Sequence, residues 1–478
     1  MRSNPIAPKS LWTRVIHCAL PKAISARFFA TTLILTLLES ASVAADDWPH
    51  FFGPFGDHTY REQGIVKILP EKGLPLRWKQ SIQGGYSGPA VVGPHVYVMD
   101  RLAQAFDPGE VSGNPNFVRA SIPGKERIRA YDSSSGELAW EHSYDCPYST
   151  VYLYAIGPRC TPTVANGRVY TLGAEGNLLC LDAATGTLVW QRDFKSDYGL
   201  KIPEWGCAAH PLAARGNLYC IVGGKESTLV CFDSATGAEK WRALSAEKPG
   251  YCPPSLRMIQ GTEQLLVWHG EKLASLEPLK GSVFWSTDAK PLYGMAIGAP
   301  VVFENMIHVM GFNRFSMAFE IAENNQAVQT LWRGDTRTGA AGVLNTAYVD
   351  HEGFLYSAGG SREFHCVDIR TGKRHWSTSR PLQNSHQARL GAWPSAFTFH
   401  HPPSGITFIY NDHGELMTTQ LSSEGYRETS RQKLIDPTHE VGGRLLVWST
   451  PAFAQQKIYL RNDKELRCYD LSEPAARR

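Results

Sequence analysis

One short cadence recurs along the chain: an acidic residue, a turn of small residues, a glycine and then a tryptophan. It reads AYDSSSGELAW at 130–140, CLDAATGTLVW at 180–190, CFDSATGAEKW at 231–241, SLEPLKGSVFW at 275–285 and CVDIRTGKRHW at 366–376. Two further copies are degenerate: EIAENNQAVQTLW ends at Trp332, and QLSSEGYRET, from Gln420, lacks the tryptophan. The closing tryptophans Trp140, Trp190, Trp241, Trp285, Trp332 and Trp376 set a period of 44 to 51 residues. Self-similarity at about 40 to 50 residues is the size of one blade of a β-propeller.

Each copy carries the pattern of a small antiparallel sheet. Alternation in GRVYTLGA (167–174) and NLLCLDA (177–183) gives two strands, and TGTLVW (185–190) supplies another. Asp182 is placed to accept backbone N–H bonds in an Asx-type turn, and Gly186 to take the positive φ that ends it. The tryptophan offers a large ring to the contact between neighbouring blades. The run upstream, GPRCTPTV (157–164), supplies the innermost strand, because proline fits at a strand start. Six tryptophans and the copy near Tyr426 count seven blades, and an eighth begins in STPAFAQQKIYLRNDKELRCYDLS (449–472) but stops short of its last strand. LPLRWKQSI (74–82) carries Trp78 with no strands before it. The expectation is an all-β, eight-bladed propeller of four-stranded antiparallel blades, closed by an N-terminal strand that completes the last blade and protects the sheet edges.

The repeat overrides the two or three domains that 478 residues alone would suggest. Residues 74–478 read as the propeller, 45–73 as an N-terminal extension and 1–44 as a secretory signal peptide. The last reading rests on Arg14, Lys22 and Arg27 ahead of an apolar run of 11 residues, FFATTLILTLL (28–38), followed by small residues. A spanning helix needs about 20 apolar residues. Cleavage after Ala44 or Ala45 would leave a periplasmic or secreted chain with no transmembrane domain. Loss of residues 1–44 leaves 43 basic and 44 acidic residues, a balance that favours neither nucleic acid nor anionic lipid.

Ten cysteines include Cys18, so nine remain after processing. Cys180, Cys231, Cys366 and Cys468 occupy one repeat position, where Ala130 and Ser275 stand in other blades, the pattern of a small buried residue. Cys146, Cys160, Cys207, Cys220 and Cys252 stay open to pairing in an oxidising compartment. The chain has no CxxC, which counts against a redox dithiol or covalently attached haem.

In a propeller the loops entering the innermost strands form the mouth of a funnel, where ligands usually sit. Here those loops carry Tyr86, Arg159, Trp205, His210, Tyr251, Asn345, Arg389, Trp393 and Trp448. Flat rings with guanidinium donors suit a planar or sugar-like ligand bearing carboxylate or hydroxyl groups. The other reading is that the rings plug the channel and the arginines satisfy carbonyls at strand ends. No metal ligands are assigned, and no second histidine or carboxylate stands at metal-ligand spacing beside His210. The repeat aspartates Asp132, Asp182, Asp233 and Asp368 are spread around the ring and read as turn caps, not as a catalytic array. His400 and His401 read as part of a long surface loop, HHPPSG, in blade 7. GGYSG (84–88) lacks the strand-to-helix context of a serine nucleophile. An insertion at 102–129 separates the second and third strands of blade 1 and reads as a lid, a partner loop or a plain surface excursion.

The copies LDAATGTLVW and CFDSATGAEKW resemble the pyrroloquinoline-quinone-type propeller repeat over most of residues 74–478. DWPHFFGP (47–54), GYSGP and GPRCTPTV are similar to segments of secreted quinoprotein-like propellers of planctomycete bacteria. The resemblance implies two classes of function: quinoprotein alcohol dehydrogenases, and propellers that bind no quinone, among them the scaffold lipoprotein of the outer-membrane β-barrel assembly machinery. Such dehydrogenases hold calcium with acidic and amide side chains and use an aspartate base, a tryptophan platform and often an adjacent cysteine pair. This chain has no Cys-Cys pair, and Asn345 is the one clear amide among the mouth loops. On the enzyme reading Trp205 or Trp393 would be the platform, Glu204 the base, and Arg159 or Arg389 the holders of the quinone carboxylates. His17 precedes Cys18, which does not match a lipoprotein signal and argues against close equivalence to the scaffold lipoprotein. The expectation is an exported, non-catalytic binding or scaffold module for a protein or polysaccharide partner. The alternative is a periplasmic oxidoreductase of alcohols or sugars that uses pyrroloquinoline quinone and calcium.

Overall fold

Eight four-stranded antiparallel sheets follow one another around a ring in a computed structural model that describes residues 46–105, 114, 117–312, 315–334, 347–359, 362–383, 394–441 and 443–474. Blade 1 is built from Ala90–Val92, His95–Ala103, Gly124–Asp132 and Leu138–Asp145. Blades 2 to 7 begin at Thr163, Leu212, Ser255, Val301, Tyr348 and Ala396, each with its strands in sequence order. Blade 8 takes Ala452–Ala454, Lys457–Arg461 and Glu465–Asp470 from the C-terminal end, and Leu76–Ser81 pairs antiparallel against its last strand. The ring therefore closes as the sequence predicts. The first strands of blades 1, 2 and 3 approach one another, as do those of blades 8 and 1, which places first strands at the axis.

The repeat cadence turns out to be the joint between blades. Asp132 accepts from the backbone N–H groups of Ser134 and Ser135 at 3.0 and 2.8 Å, Asp182 from those of Ala184 and Thr185, and Asp233 from those of Ala235 and Thr236. The glycines that end these turns are left-handed, with φ of 76° at Gly136, 71° at Gly186 and 72° at Gly237. Each lies flat on the closing tryptophan of the preceding blade: Gly136 on Trp78, Gly186 on Trp140, Gly237 on Trp190. Those indoles in turn donate to a carbonyl of the same turn, Trp78 to Ser133 at 3.0 Å, Trp140 to Ala183 at 3.0 Å and Trp190 to Ser234 at 3.1 Å. Trp78, on the strand borrowed from the N-terminal side, thus makes the same joint between blades 8 and 1 that Trp140 makes between blades 1 and 2.

Turn chemistry of this kind contributes modestly. Side-chain and backbone hydrogen bonds from Ser134 and Ser135 hold the Asp132 carboxyl down at about 2. Its contribution is complete above the ordinary carboxylate value and is lost as pH falls toward 2. Asp132→Ala is expected to cost about 1 kcal/mol at neutral pH, with solvent screening keeping the figure low. Asp132→Asn, which keeps the acceptor, should recover most of it in urea unfolding.

The nine described cysteines are free and buried, and the shared repeat position holds Cys180, Cys231, Cys366 and Cys468 with no exposed surface. Two sequence readings need correction. The strands of blade 1 run on into the insertion, which shrinks from 102–129 to 104–123, because residues 95–103 and 124–132 stay paired along their whole length. His400 and His401 are not in a long loop. They end the first strand of blade 7, Ala396–His401, and a short turn leads into the next strand. His401 is buried, with Nε2 2.8 Å from the Glu62 carbonyl, a partner 339 residues away that no local pattern could supply.

The N-terminal extension is the least repetitive part of the fold. Trp48 bridges to Val91 of blade 1, the Pro49 carbonyl accepts from Val164 N of blade 2 at 2.8 Å, and the Gly56 carbonyl accepts from Arg257 Nη2 of blade 4 at 2.6 Å. Tyr60 N donates to the His400 carbonyl of blade 7 at 2.9 Å, and Gln455 N of blade 8 donates to the Asp46 carbonyl at 3.2 Å. A segment that touches first strands on opposite sides of the ring must cross the axis, so residues 46–60 form a strap within the channel. Beyond it, Val66 N bonds the Leu471 carbonyl and Leu74 N the Gln432 side chain, leading the chain to the edge of blade 8. Trp48, Tyr60, Val66 and Trp78 share one apolar core with Val91, Phe399 and Phe453, so strap and borrowed strand are packed into the ring itself.

Candidate functional site

The mouth loops gather into two clusters. In the first, the Tyr86 hydroxyl lies 2.8 Å from His439 Nε2, and His439 Nδ1 lies 3.9 Å from Asp463 Oδ2. The Trp448 ring stands 6.2 Å from Tyr86 and stacks on Tyr154 at 6.5 Å. Arg159 lies over the Tyr86 ring at 5.3 Å, while its two terminal nitrogens donate to the carbonyls of Gly157 and Tyr154, each at 2.5 Å. Burial pushes the Tyr86 hydroxyl pKa up, partly offset by Arg159, and pulls that of His439 down against the pull of Asp463. At neutral pH the cluster therefore presents a neutral phenol, a neutral imidazole and one guanidinium already held by backbone oxygens.

The second cluster sets Trp205 edge-on to Tyr251 at 5.9 Å. Glu204 is ion-paired to Lys248 at 3.0 Å, and Lys248 also reaches the Tyr293 carbonyl at 3.3 Å. Burial raises the Glu204 pKa, but the Lys248 hydrogen bond and the charges of Lys248 and Arg119 outweigh it, so the carboxylate ends below its ordinary value. A general base working near neutral pH needs the opposite shift. Part of the insertion lies over this cluster: Arg119 bridges to Val151 and donates to the Ile202 carbonyl at 2.6 Å, and Phe117 meets Tyr293 at 5.9 Å.

His210 stands apart from both clusters. Its Nδ1 accepts from Thr161 N at 2.7 Å, its ring stacks on Phe51 of the strap at 4.0 Å, and burial pulls its pKa to about 3. It joins strap to ring. Asn345, Arg389 and Trp393 lie outside the described residues. His439, Asp463, Tyr154 and Lys248 were not legible as site residues, because they come from hairpins and loop ends of separate blades with no common spacing.

Among the described residues no group of three or more His, Cys, Asp or Glu side chains is arranged to hold a metal ion. The polar groups at the mouth are aromatic hydroxyls, a neutral histidine, a guanidinium spent on carbonyls, and two carboxylates in separate clusters, Asp463 beside His439 and Glu204 paired to Lys248. Among the described residues that set does not fit a calcium-held quinone, which needs clustered carboxylate and amide oxygens. No helix among the described residues is long and apolar enough to cross a membrane.

Comparison with known proteins shows what the chain is similar to. The family model described as outer membrane protein assembly factor BamB matches residues 124–344. The dehydrogenase subunit of a quinone alcohol dehydrogenase from Gluconobacter oxydans is 30% identical over 154 residues, 28% of this chain and 19% of that protein. Outer membrane protein assembly factor BamB from Burkholderia pseudomallei is 24% identical over 206 residues, 38% of this chain and 50% of that protein. The chain thus spans half or less of the length of these relatives. Among solved structures, quinohemoprotein alcohol dehydrogenase from Comamonas testosteroni superposes with a TM-score of 0.58 at 13% identity, over 90% of this chain and 81% of that one, a likeness of fold. With eight blades joined by the tryptophan–glycine turn, the family model over residues 124–344 and relatives on both the dehydrogenase and the assembly-factor side support a propeller repeat of the pyrroloquinoline-quinone type in this chain.

Proposed function

We propose that this chain is an exported, non-catalytic propeller that binds a protein or polymer ligand through its mouth and loop faces. The observation that carries the reading is how the charged groups at the mouth are spent: Arg159 on two backbone carbonyls and Glu204 on Lys248. Charges engaged in this way hold loops in place and leave aromatic faces for contact, as in a recognition surface. A relative named as an outer-membrane assembly factor supports a protein partner. Export rests on residues 1–44, which read as a signal peptide and lie outside the described residues. The near-balance of charge in the remaining chain gives no support to a nucleic-acid partner.

The test is a titration of the purified chain with pyrroloquinoline quinone in the presence of calcium, read by absorbance and calorimetry. The expected result is no saturable binding into the high micromolar range. One-to-one binding that Arg159→Ala or Arg389→Ala weakens about tenfold, roughly 1.4 kcal/mol, would instead establish the oxidoreductase alternative and direct a screen of alcohols and sugars.

A further inference from the structure

Between the strap and the first strands of blades 5 and 6, Val301–Phe303 and Tyr348–Val349, lies a cavity of about 680 Å³. That volume is within the range of small-molecule sites, roughly 300 to 1,000 Å³. Its lining runs from Pro300, where the chain enters blade 5, to the turn at Glu304 and Asn305. Met258, Gln260 and Glu304 are exposed, which gives a way in from solvent, while Phe52 and His58 of the strap are buried. No residue of either mouth cluster lines it.

We propose that this cavity binds a neutral sugar. Its lining carries charge of both signs: Asp57 stands as a counter-charge to Arg257 and pairs with Arg61 at 3.3 Å, and Glu304 adds a second carboxylate at the exposed rim. An anion would meet those carboxylates and a cation the guanidinium, so an uncharged ligand is the one that faces no like charge. What the lining offers is unspent hydrogen-bonding capacity of both kinds. Of the five N–H groups of Arg257, one goes to the Leu256 carbonyl at 2.9 Å and one to the Gly56 carbonyl at 2.6 Å, and the rest have no protein partner. The amide nitrogens of Gln260 and Asn305 donate to the Ile321 carbonyl at 3.3 and 3.4 Å, which leaves their side-chain oxygens as acceptors. His58 is 6% exposed and neither ring nitrogen has a hydrogen-bond partner, a costly condition for a buried polar group. Burial, then the charge of Arg257, pulls its pKa to about 3, so at neutral pH it holds one donor and one acceptor. Phe52, Val301 and Val349 supply apolar wall. A sugar ring has the matching make-up, with hydroxyls on its edge that both donate and accept and C–H groups on its faces.

The experiment is thermal unfolding and calorimetric titration of the purified chain with glucose, N-acetylglucosamine and cellobiose, taken to high millimolar concentration, beside the charged congeners glucuronate and glucosamine. At least one neutral sugar should bind one-to-one and raise the unfolding midpoint, with both charged congeners at least tenfold weaker. His58→Phe keeps a ring against Phe51, Phe52 and Phe399 and removes both nitrogens. It should weaken sugar binding at least tenfold and leave the sugar-free midpoint unchanged or higher, because it removes an unpartnered buried polar group. Should that variant fold poorly, Val349→Phe narrows the cavity with every polar group in place and should block binding equally. No saturable binding of any neutral sugar, a charged congener that binds as tightly, or full binding by either variant would overturn the proposal. Quinone binding at the mouth is read separately, since it depends on Arg159.

Discussion

A chain that begins after Ser81 is expected to lose cooperative unfolding altogether. The deletion removes two fully or nearly fully buried tryptophans, Trp48 and Trp78. It also strips blade 8 of its outermost strand and uncovers the axial edges of several first strands. Loss of a single buried tryptophan typically costs about 3 to 5 kcal/mol. Two of them, about 6 to 10 kcal/mol together, with Tyr60 and Val66 from the same core, amount to most or all of the roughly 5 to 15 kcal/mol that holds an ordinary domain together. The exposed edge of blade 8 would also template aggregation. Urea unfolding followed by tryptophan fluorescence, with size-exclusion chromatography at each step, checks this. A truncated monomer with an unchanged midpoint would show that strap and borrowed strand are dispensable.

The second large effect belongs to the joint itself. In Gly186→Ala the new Cβ would lie 2.4 Å from Trp140 Cε3, and the residue would sit at φ 71°. The left-handed backbone costs about 1 to 2 kcal/mol for an L-residue, and overpacking about 1 to 3 more. Trp140→Ala alone should cost about 3 to 5 kcal/mol, since the ring is buried and its N–H is bonded to Ala183. In the double variant the clash is gone but the backbone penalty stays. The two losses should therefore fall short of adding by about 1 to 3 kcal/mol. Strict additivity in denaturant unfolding would mean that glycine and indole do not form one unit.

How much of this was legible follows from where each constraint lies in the sequence. The joint repeats at a fixed spacing with residues chosen for special geometry, so Asp182, Gly186 and Trp190 identify turn, end of turn and closing strand from the sequence alone. Ring closure was legible for the same reason, because Trp78 stood without its strands. The strap carries no repeat. Its partners, Val91, Arg257 and His400, are scattered over the chain, and only the finished ring brings them to one axis. His401 was misread on that account: two histidines before two prolines look like a loop until the Glu62 carbonyl is placed against them. At the mouth the aromatic loops were readable as loops. Their pairing with His439, Asp463 and Lys248 was not, since each contact joins different blades.

The bond between Arg77 and Asp470 joins residues 393 positions apart, at the seam where the ring closes. The strand a ribosome makes early is therefore one of the last to find its place, and until then its mate has not been synthesised. Loop closure over such a distance is slow compared with local pairing. The intervening blades can form their own hairpins while strap and strand wait unpaired, a state prone to wrong association. A prematurely terminated chain would never pass beyond it. Completeness of synthesis is in this way built into the seam as a condition of folding, and an unfinished copy keeps an open sheet edge.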